Sequence, residues 1–221
     1  MKIPSIPLND ELELTEVYPS DKGRILEIVN APGYLYPILN GKLGADGRRM
    51  PAEESIDEFL RDEVVRNQQI TPRTGYIFAV REQRGEKRFM GMVEVVDLNK
   101  DGDAELGYGV ATELQGTGAA LRGVVKAVDY AMTKLGVKTL RATVDPDNAP
   151  SIRMLDRFGF TQEGTPYPST SYTDLEGGQR LRQNMRVDEA TLKEKLYELK
   201  QALGYSSVRV SPADPFPQRG V

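Results

Sequence analysis

Residues 104–160 most constrain the fold, because strand and helix patterns alternate there without a break. Leu106, Tyr108 and Val110 mark an apolar strand run that leads into the turn Gln115-Gly116-Thr117-Gly118-Ala119-Ala120. Leu121, Val124, Val125, Val128, Met132 and Leu135 then repeat at helical spacing, and Gly136 is placed to end that helix. Lys138–Val144 reads as a strand, and Asp147 or Asn148 caps a further helix that tolerates Pro150 in its first turn. Ile152, Leu155 and Phe158 form the buried side of that helix, and Gly159-Phe160 opens another strand. Strand, helix, strand, helix is the crossover pattern of an α/β sheet.

The turn at 115–120 is an anion cradle by construction. The first N–H groups of a helix have no intrahelical acceptor, the helix dipole is positive there, and glycine lets a phosphate approach the backbone. Two phosphate motifs fail at this site. A dinucleotide fingerprint needs a third glycine where Leu121 stands. A P-loop drawn from Gly118 to Gly123 meets Val124 and Val125 in place of Lys and Ser/Thr.

Composition narrows the chemistry. The chain has 221 residues and a net charge of −4, which suits one domain with room for an appendage and argues against nucleic-acid binding. It has no cysteine and no histidine. Thiolate nucleophiles, histidine triads and Cys- or His-based metal sites are therefore excluded, and proton transfer falls to Asp, Glu, Lys, Tyr or water. No apolar run is long enough for a bilayer, and MKIPSIPLNDELEL lacks a continuous apolar signal core. The expectation is a cytoplasmic protein with no membrane partner.

Elsewhere, residues 11–17 alternate as a first strand, and Ser20 is placed to cap a helix bearing Ile25, Leu26, Ile28 and Val29. Residues 30–50 lose periodicity, yet Tyr34, Leu35, Tyr36, Ile38 and Leu39 make them too apolar for a solvated linker. They read equally as an acceptor-binding wall or as a loop pinned by its aromatics. A helix opens at Pro51 with Ile56, Phe59, Leu60 and Val64 on one side, and Tyr76–Val80 and Phe89–Val96 form a hairpin. Asp97–Gly102 copies half of a calcium loop, but Tyr108 stands at its twelfth position, so a hairpin turn explains it better. A last strand spans Gln179–Val187 after the Glu176-Gly177-Gly178 turn. Asp188 caps a helix with the stripe Leu192, Leu196, Leu199 and Leu203, closed by Gly204. The stripe buries on its own domain or, alternatively, in a homodimer.

Gln115-x-x-Gly118-x-Ala120 matches the pattern Gln/Arg-x-x-Gly-x-Gly/Ala, and in this the chain resembles the GNAT N-acetyltransferase superfamily. Asn148-x-x-Ser151-x-x-x-Leu155-x-x-x-Gly159-Phe160 resembles its second cofactor-side motif, most closely in the Rim-type branch, as does Glu105-Leu106-Gly107-Tyr108. The resemblance spans roughly residues 10–187. It implies a GNAT-like fold: a splayed central mixed β-sheet flanked by helices, within the α/β (α+β) class. It further implies acetyl-CoA as cosubstrate without a metal, and acetyl transfer to a primary amine, either a protein N-terminus or a small amine. Pantetheine would pair near Val110 and Thr112, the pyrophosphate would lie on Gln115, Gly116, Thr117, Gly118, Ala119 and Ala120, and Asn148 would bind the pantetheine arm. With no cysteine to carry the acetyl group, direct attack in a ternary complex is the economical route.

Glu105 is the first candidate base; Glu94 reads better as a solvent-facing strand residue. Where many relatives place a tyrosine acid, this chain has Leu155; Ser151 is the branch's alternative near the sulfur, equally readable as first-turn hydrogen bonding. Tyr108 is a reserve acid that core packing explains better. The expected layout is a GNAT domain over 1–187, an appended helix at 188–204 and a flexible tail at 205–221, with loops at 30–50 and 165–175 setting the acceptor. A CoA-binding sensor or interaction module without turnover is the alternative reading.

Overall fold

Eight strands form one mixed sheet in the order β1-β2-β3-β4-β5-β6-β8-β7. They are β1 (Ile6–Pro7), β2 (Leu12–Glu16), β3 (Tyr76–Glu82), β4 (Phe89–Val96), β5 (Asp103–Val110), β6 (Thr139–Val144), β7 (Thr161–Thr173) and β8 (Gln179–Val187). The helices are α1 (Lys22–Val29), α2 (Ala52–Glu58), α3 (Arg66–Gln69), α4 (Ala119–Tyr130), α5 (Ala149–Arg157) and α6 (Glu189–Ala202). The computed structural model describes residues 2–32, 34, 42–44, 47–173 and 178–205. Leu35, Tyr36, Ile38 and Leu39, the Glu176-Gly177 turn and the tail beyond Tyr205 lie outside the described residues.

All neighbouring strands pair antiparallel except β5 and β6, which are parallel and joined through α4. That parallel ladder covers just Asp103–Glu105 against Thr139–Arg141. Beyond it the strands diverge, which opens a gap in the middle of the sheet. Ala111 N–H donates to the Met90 carbonyl at 2.8 Å, which turns the backbone groups of odd-numbered β5 residues toward β4. By the alternation of an antiparallel ladder, those of Tyr108 and Val110, past the end of the ladder to β6, point into the gap.

α4 lies across the sheet with Val124, Val125 and Val128 fully buried. Gly123 faces the sheet at close range: a Cβ there would meet the Val80 and Val93 side chains at 3.4 Å, an ordinary van der Waals contact. The helix continues through a π-helical stretch, Ala131–Leu135, and ends at Gly136, whose φ of +78° suits glycine.

Four local expectations are corrected. Ser20 does not cap α1; a 3-10 turn (Pro19–Asp21) precedes the helix, and Asp21 Oδ2 accepts the Tyr18 N–H at 2.9 Å. Proline presets that turn, and Asp21 is instead drawn inward to Arg81. The helix from Pro51 is not uniformly α: a π-helical stretch, Phe59–Val65, joins α2 to α3. The expected acceptor loop at 165–175 is strand as far as Thr173, because β7 is the outermost strand of the sheet, where Pro166 and Pro168 are tolerated. Tyr205 is held rather than loose: its hydroxyl donates to the Leu8 carbonyl at 2.8 Å, and Lys126 sits over its ring.

α6 packs on its own chain, beside α4. Leu192 and Leu196 are buried, Lys200 pairs with Asp129 at 2.8 Å, and Asp188 accepts N–H bonds from Ala190 and Thr191 as the cap. Truncating Leu192→Ala should therefore destabilise the whole fold by about 2–5 kcal/mol in urea titration. The Asp21–Arg81 pair is buried and bidentate, with contacts of 2.9 and 2.7 Å. Asp21→Ala leaves that guanidinium uncompensated and should cost about 3–5 kcal/mol, whereas removing the exposed Lys193–Glu189 pair should leave stability nearly unchanged.

Candidate active site

The gap between β5 and β6 opens into a cleft of about 750 Å³. Its walls come from β4, β5 and β6, the segment from α2 into the π-helical stretch, and the start of α5. At one end, a 3-10 turn (Thr112–Leu114) carries the chain from β5 to the cradle. Gly116 and Gly118 adopt φ values of +75° and +83°, and α4 begins immediately after. Thr117 Oγ1 donates to the Leu114 carbonyl at 2.7 Å and accepts the Ala119 N–H at 3.3 Å. The intrahelical ladder starts at the Arg122 N–H, so the Ala120 and Leu121 N–H groups are left for another acceptor. A Cβ at Gly116 or Gly118 would meet nothing within 4 Å, so the approach is open.

Of the residues expected to bind the cofactor, Val110, Gln115, Gly116, Ala120, Asn148 and Ser151 line the cleft. Thr112, Thr117, Gly118 and Ala119 shape the turn beside it instead of lining it. Asn148 is the N-cap of α5: its Oδ1 accepts the Ser151 N–H at 3.2 Å. Its other amide valences are left for the cleft. The Tyr108 hydroxyl donates to the Ser151 carbonyl at 3.1 Å, tying β5 to α5 across the gap. Burial pushes the Tyr108 phenol well above its ordinary range, so it stays protonated. Leu155 is buried and gives the cleft an apolar wall there.

Glu105 stands where the parallel ladder ends, opposite Arg141, with Thr143 Oγ1 at 3.4 Å. Burial raises its carboxyl above the usual range and the Asp97 carboxylate adds to this; Arg141, Thr143 and Arg182 pull the other way. A half-buried carboxyl with a raised pKa is a stronger base than an ordinary glutamate. Glu94 is not solvent-facing: it is buried and lines the cleft on the same face, between Ile77 and Gly107. Strand alternation alone did not reveal this, because α2 and its π-helical extension cover the face.

Further cleft residues carried no motif. Arg182 Nη1 bonds Asp145 at 2.8 Å, its Nη2 donates to the Thr143 carbonyl at 3.0 Å, and its guanidinium lies 5.9 Å from the Tyr172 ring centre. Arg180 is paired with the same aspartate. This buried pairing holds β6 to β8 beside the gap. Asp145-Pro146-Asp147 resembles a plain capping turn in sequence, so its partners become evident only once the sheet is assembled. Tyr34, Ser55, Glu58 and Asp62 complete the far end of the cleft. Among the described residues, no group of three or more His, Cys, Asp or Glu side chains is placed to hold a metal ion, and no helix is long and apolar enough to cross a membrane.

Known proteins share this arrangement. A family model of the acetyltransferase (GNAT) domain matches residues 11–161, more than half of the chain. An uncharacterised N-acetyltransferase, p20, from Bacillus licheniformis is 38% identical over 65 residues, which cover 29% of this chain and 36% of that protein. A spermidine N(1)-acetyltransferase from Vibrio cholerae is 28% identical over 113 residues, 51% of this chain and 64% of that protein. The matches thus span less than two thirds of these relatives' lengths. Among solved structures, a Vibrio cholerae spermidine N-acetyltransferase in complex with CoA and spermine superposes with a TM-score of 0.63 at 19% identity, covering 84% of this chain and 99% of that one. That likeness is one of fold, a mixed sheet with flanking helices. With the matched domain and the cradle between divergent strands in place, the chain belongs to the GNAT acetyltransferase family.

Proposed function

We propose that the protein is an N-acetyltransferase that moves an acetyl group from acetyl-CoA to a primary amine, a small amine or a protein N-terminus. The observation that carries this reading is the gap itself. A strand edge with unpaired backbone groups at Tyr108 and Val110 leads straight to an open helix N-terminus. Such an edge suits the amide-bearing pantetheine arm, and the helix start suits the pyrophosphate. Val110 and Thr112 would flank the pantetheine, Gln115 to Ala120 would receive the phosphates, and Asn148 would meet the arm from α5. The Rim-type branch is favoured by Asn148, Ser151 and Leu155 on α5 and by Glu105-Leu106-Gly107-Tyr108 on β5.

In the proposed reaction Glu105, directly or through a water, takes a proton from the acceptor ammonium. The freed nitrogen attacks the thioester carbonyl carbon, forming the C–N bond. Backbone N–H groups of the β5 edge stabilise the developing oxyanion. The C–S bond then breaks and the nitrogen sheds its second proton; the thiolate leaves as such, that proton passing to water, or is protonated through Ser151, whose hydroxyl takes the proton up in turn. Tyr108 fits a positioning part better than an acid's, since its hydroxyl is committed to the Ser151 carbonyl. The raised carboxyl of Glu105 beside the gap favours turnover over a CoA-binding module without it.

Two outcomes are expected. Calorimetric titration should show acetyl-CoA binding that Gly116→Trp, which fills the open side of the cradle, weakens by about tenfold or more, while absence of binding to the unsubstituted protein would sink the reading. Because the base works deprotonated and its pKa is raised, kcat/KM should climb with pH along a limb lying above 4.5, the ordinary value of a glutamate. Glu105→Gln should remove that limb and lower kcat/KM by about 10²–10⁴-fold; an unchanged pH profile would assign the base elsewhere.

A further inference from the structure

Beside the gap one positive charge is in excess. Arg180 and Arg182 lie two residues apart on β8, hence on one face, and both bond the Asp145 carboxylate, Arg182 Nη1 at 2.8 Å. One guanidinium neutralises one carboxylate, so Arg180 alone would satisfy Asp145, and the β6–β8 ladder already holds the two strands together. Arg182 is nonetheless buried, and it lines the cleft. A buried charge needs an answering anion, so the spare charge of this trio points to another carboxylate in the cleft.

The second arm of the guanidinium shows which. Arg182 Nη2 donates to the Thr143 carbonyl at 3.0 Å, and Thr143 Oγ1 lies 3.4 Å from Glu105 Oε1. Elsewhere in the cleft Glu58 is paired with Lys42, and Asp62 with Arg61. The other groups around Glu105 supply no buried cation. Arg141, opposite it on β6, is exposed, and solvent screens its charge. Glu94 on β4 and Asp97 just beyond that strand are acidic, and Asp103 on β5 accepts from the Asn99 amide at 3.3 Å. Burial keeps the Tyr172 phenol on β7 protonated.

We propose that Arg182 is a positioning residue for the acetyl transfer: anchored by Asp145, it holds Thr143 against Glu105 and directs the spare positive charge at that carboxylate. The inference rests on the acetyl-transfer reading, in which Glu105 takes the acceptor's proton, and deepens it. Arg182 favours the charged form of Glu105 and so opposes the burial that raises its carboxyl. Without this counterweight Glu105 would keep its proton to higher pH, and less of the protein would carry a working base below that point.

The test is an NMR titration of the intact protein, saturated with CoA and isotope-labelled at the glutamate carboxyl carbons; Glu105→Gln identifies the resonance. Arg182→Gln should move its midpoint to higher pH, a gain in proton affinity of about threefold or more. CoA affinity, read by calorimetry, should stay within about twofold. Arg182→Lys keeps the charge without the fork, and its midpoint should fall between the two. Asp145→Asn should move the midpoint the opposite way, because Arg180 and Arg182 lose their shared counter-charge. Arg182→Gln leaves Asp145 paired with Arg180, so this variant should fold even where Asp145→Asn does not. A merely structural pair would lower the Tm in both variants without moving the midpoint in opposite directions. A midpoint that Arg182→Gln leaves unchanged or lowers, with CoA still bound, overturns the inference and leaves acetyl transfer standing. Loss of CoA binding in Arg182→Gln overturns it as well, since Arg182 then acts on the cleft as a whole. Failure of the unsubstituted protein to bind CoA overturns the acetyl-transfer reading and this inference with it.

Discussion

The structure depends on a ladder that stops early. β5 and β6 share three residue pairs and then part, and the candidate site occupies the space that opens. A sheet interrupted in its middle exposes backbone donors and acceptors that must find other partners. Two devices hold the breach at a fixed width. The Tyr108 hydroxyl reaches the Ser151 carbonyl across it, and Asp145, Arg180 and Arg182 bind β6 to β8 on its far side. α4 supplies the remaining restraint by packing across β2, β4 and β5 and presenting its N-terminus at the mouth of the gap.

The same geometry explains why a glutamate at the end of the ladder differs from one elsewhere on a strand. Glu105 is close enough to Arg141 and Arg182 to feel them, yet burial outweighs both and its carboxyl titrates high. In a solvated strand those guanidinium groups would have pulled it below its ordinary range. The electrostatics of the site are thus a product of where the sheet opens.

Much of this was legible in the chain. The cradle, the α4 stripe, the Asn148 cap, β8 and the α6 leucine stripe all rest on local rules, such as helical periodicity, capping and glycine at positive φ, and the structure places them where those rules put them. What was hidden depends on elements far apart in sequence. Glu94 looked solvent-facing because alternation reveals a face and not what covers it; the cover comes from α2 and its π-helical extension, some thirty residues earlier. Ser20 had the right chemistry for a cap, but Asp21 is held by Arg81, 60 residues away, and the turn forms around that pair. The run Gly164-Thr165-Pro166-Tyr167-Pro168 has the composition of a loop, and at the rim of a sheet that composition is also permitted in a strand.

β7 has a consequence for how the molecule behaves among its own copies. It runs thirteen residues along the outer margin of the sheet, mostly exposed, with β8 along one side and a short bridge from Lys42 to Tyr172 on the other. A margin of that length would ordinarily recruit the same margin of another molecule and grow into a continuous ribbon. Here Pro166 and Pro168 remove two amide donors, and the register with β8 breaks between Glu163 and Tyr167 and again between Pro168 and Thr173. The rim is long but not straight, and its donors are interrupted, so it makes a poor template for polymerisation. The residues that disguise β7 as a loop in the sequence are those that let so long a strand remain at the surface without aggregating.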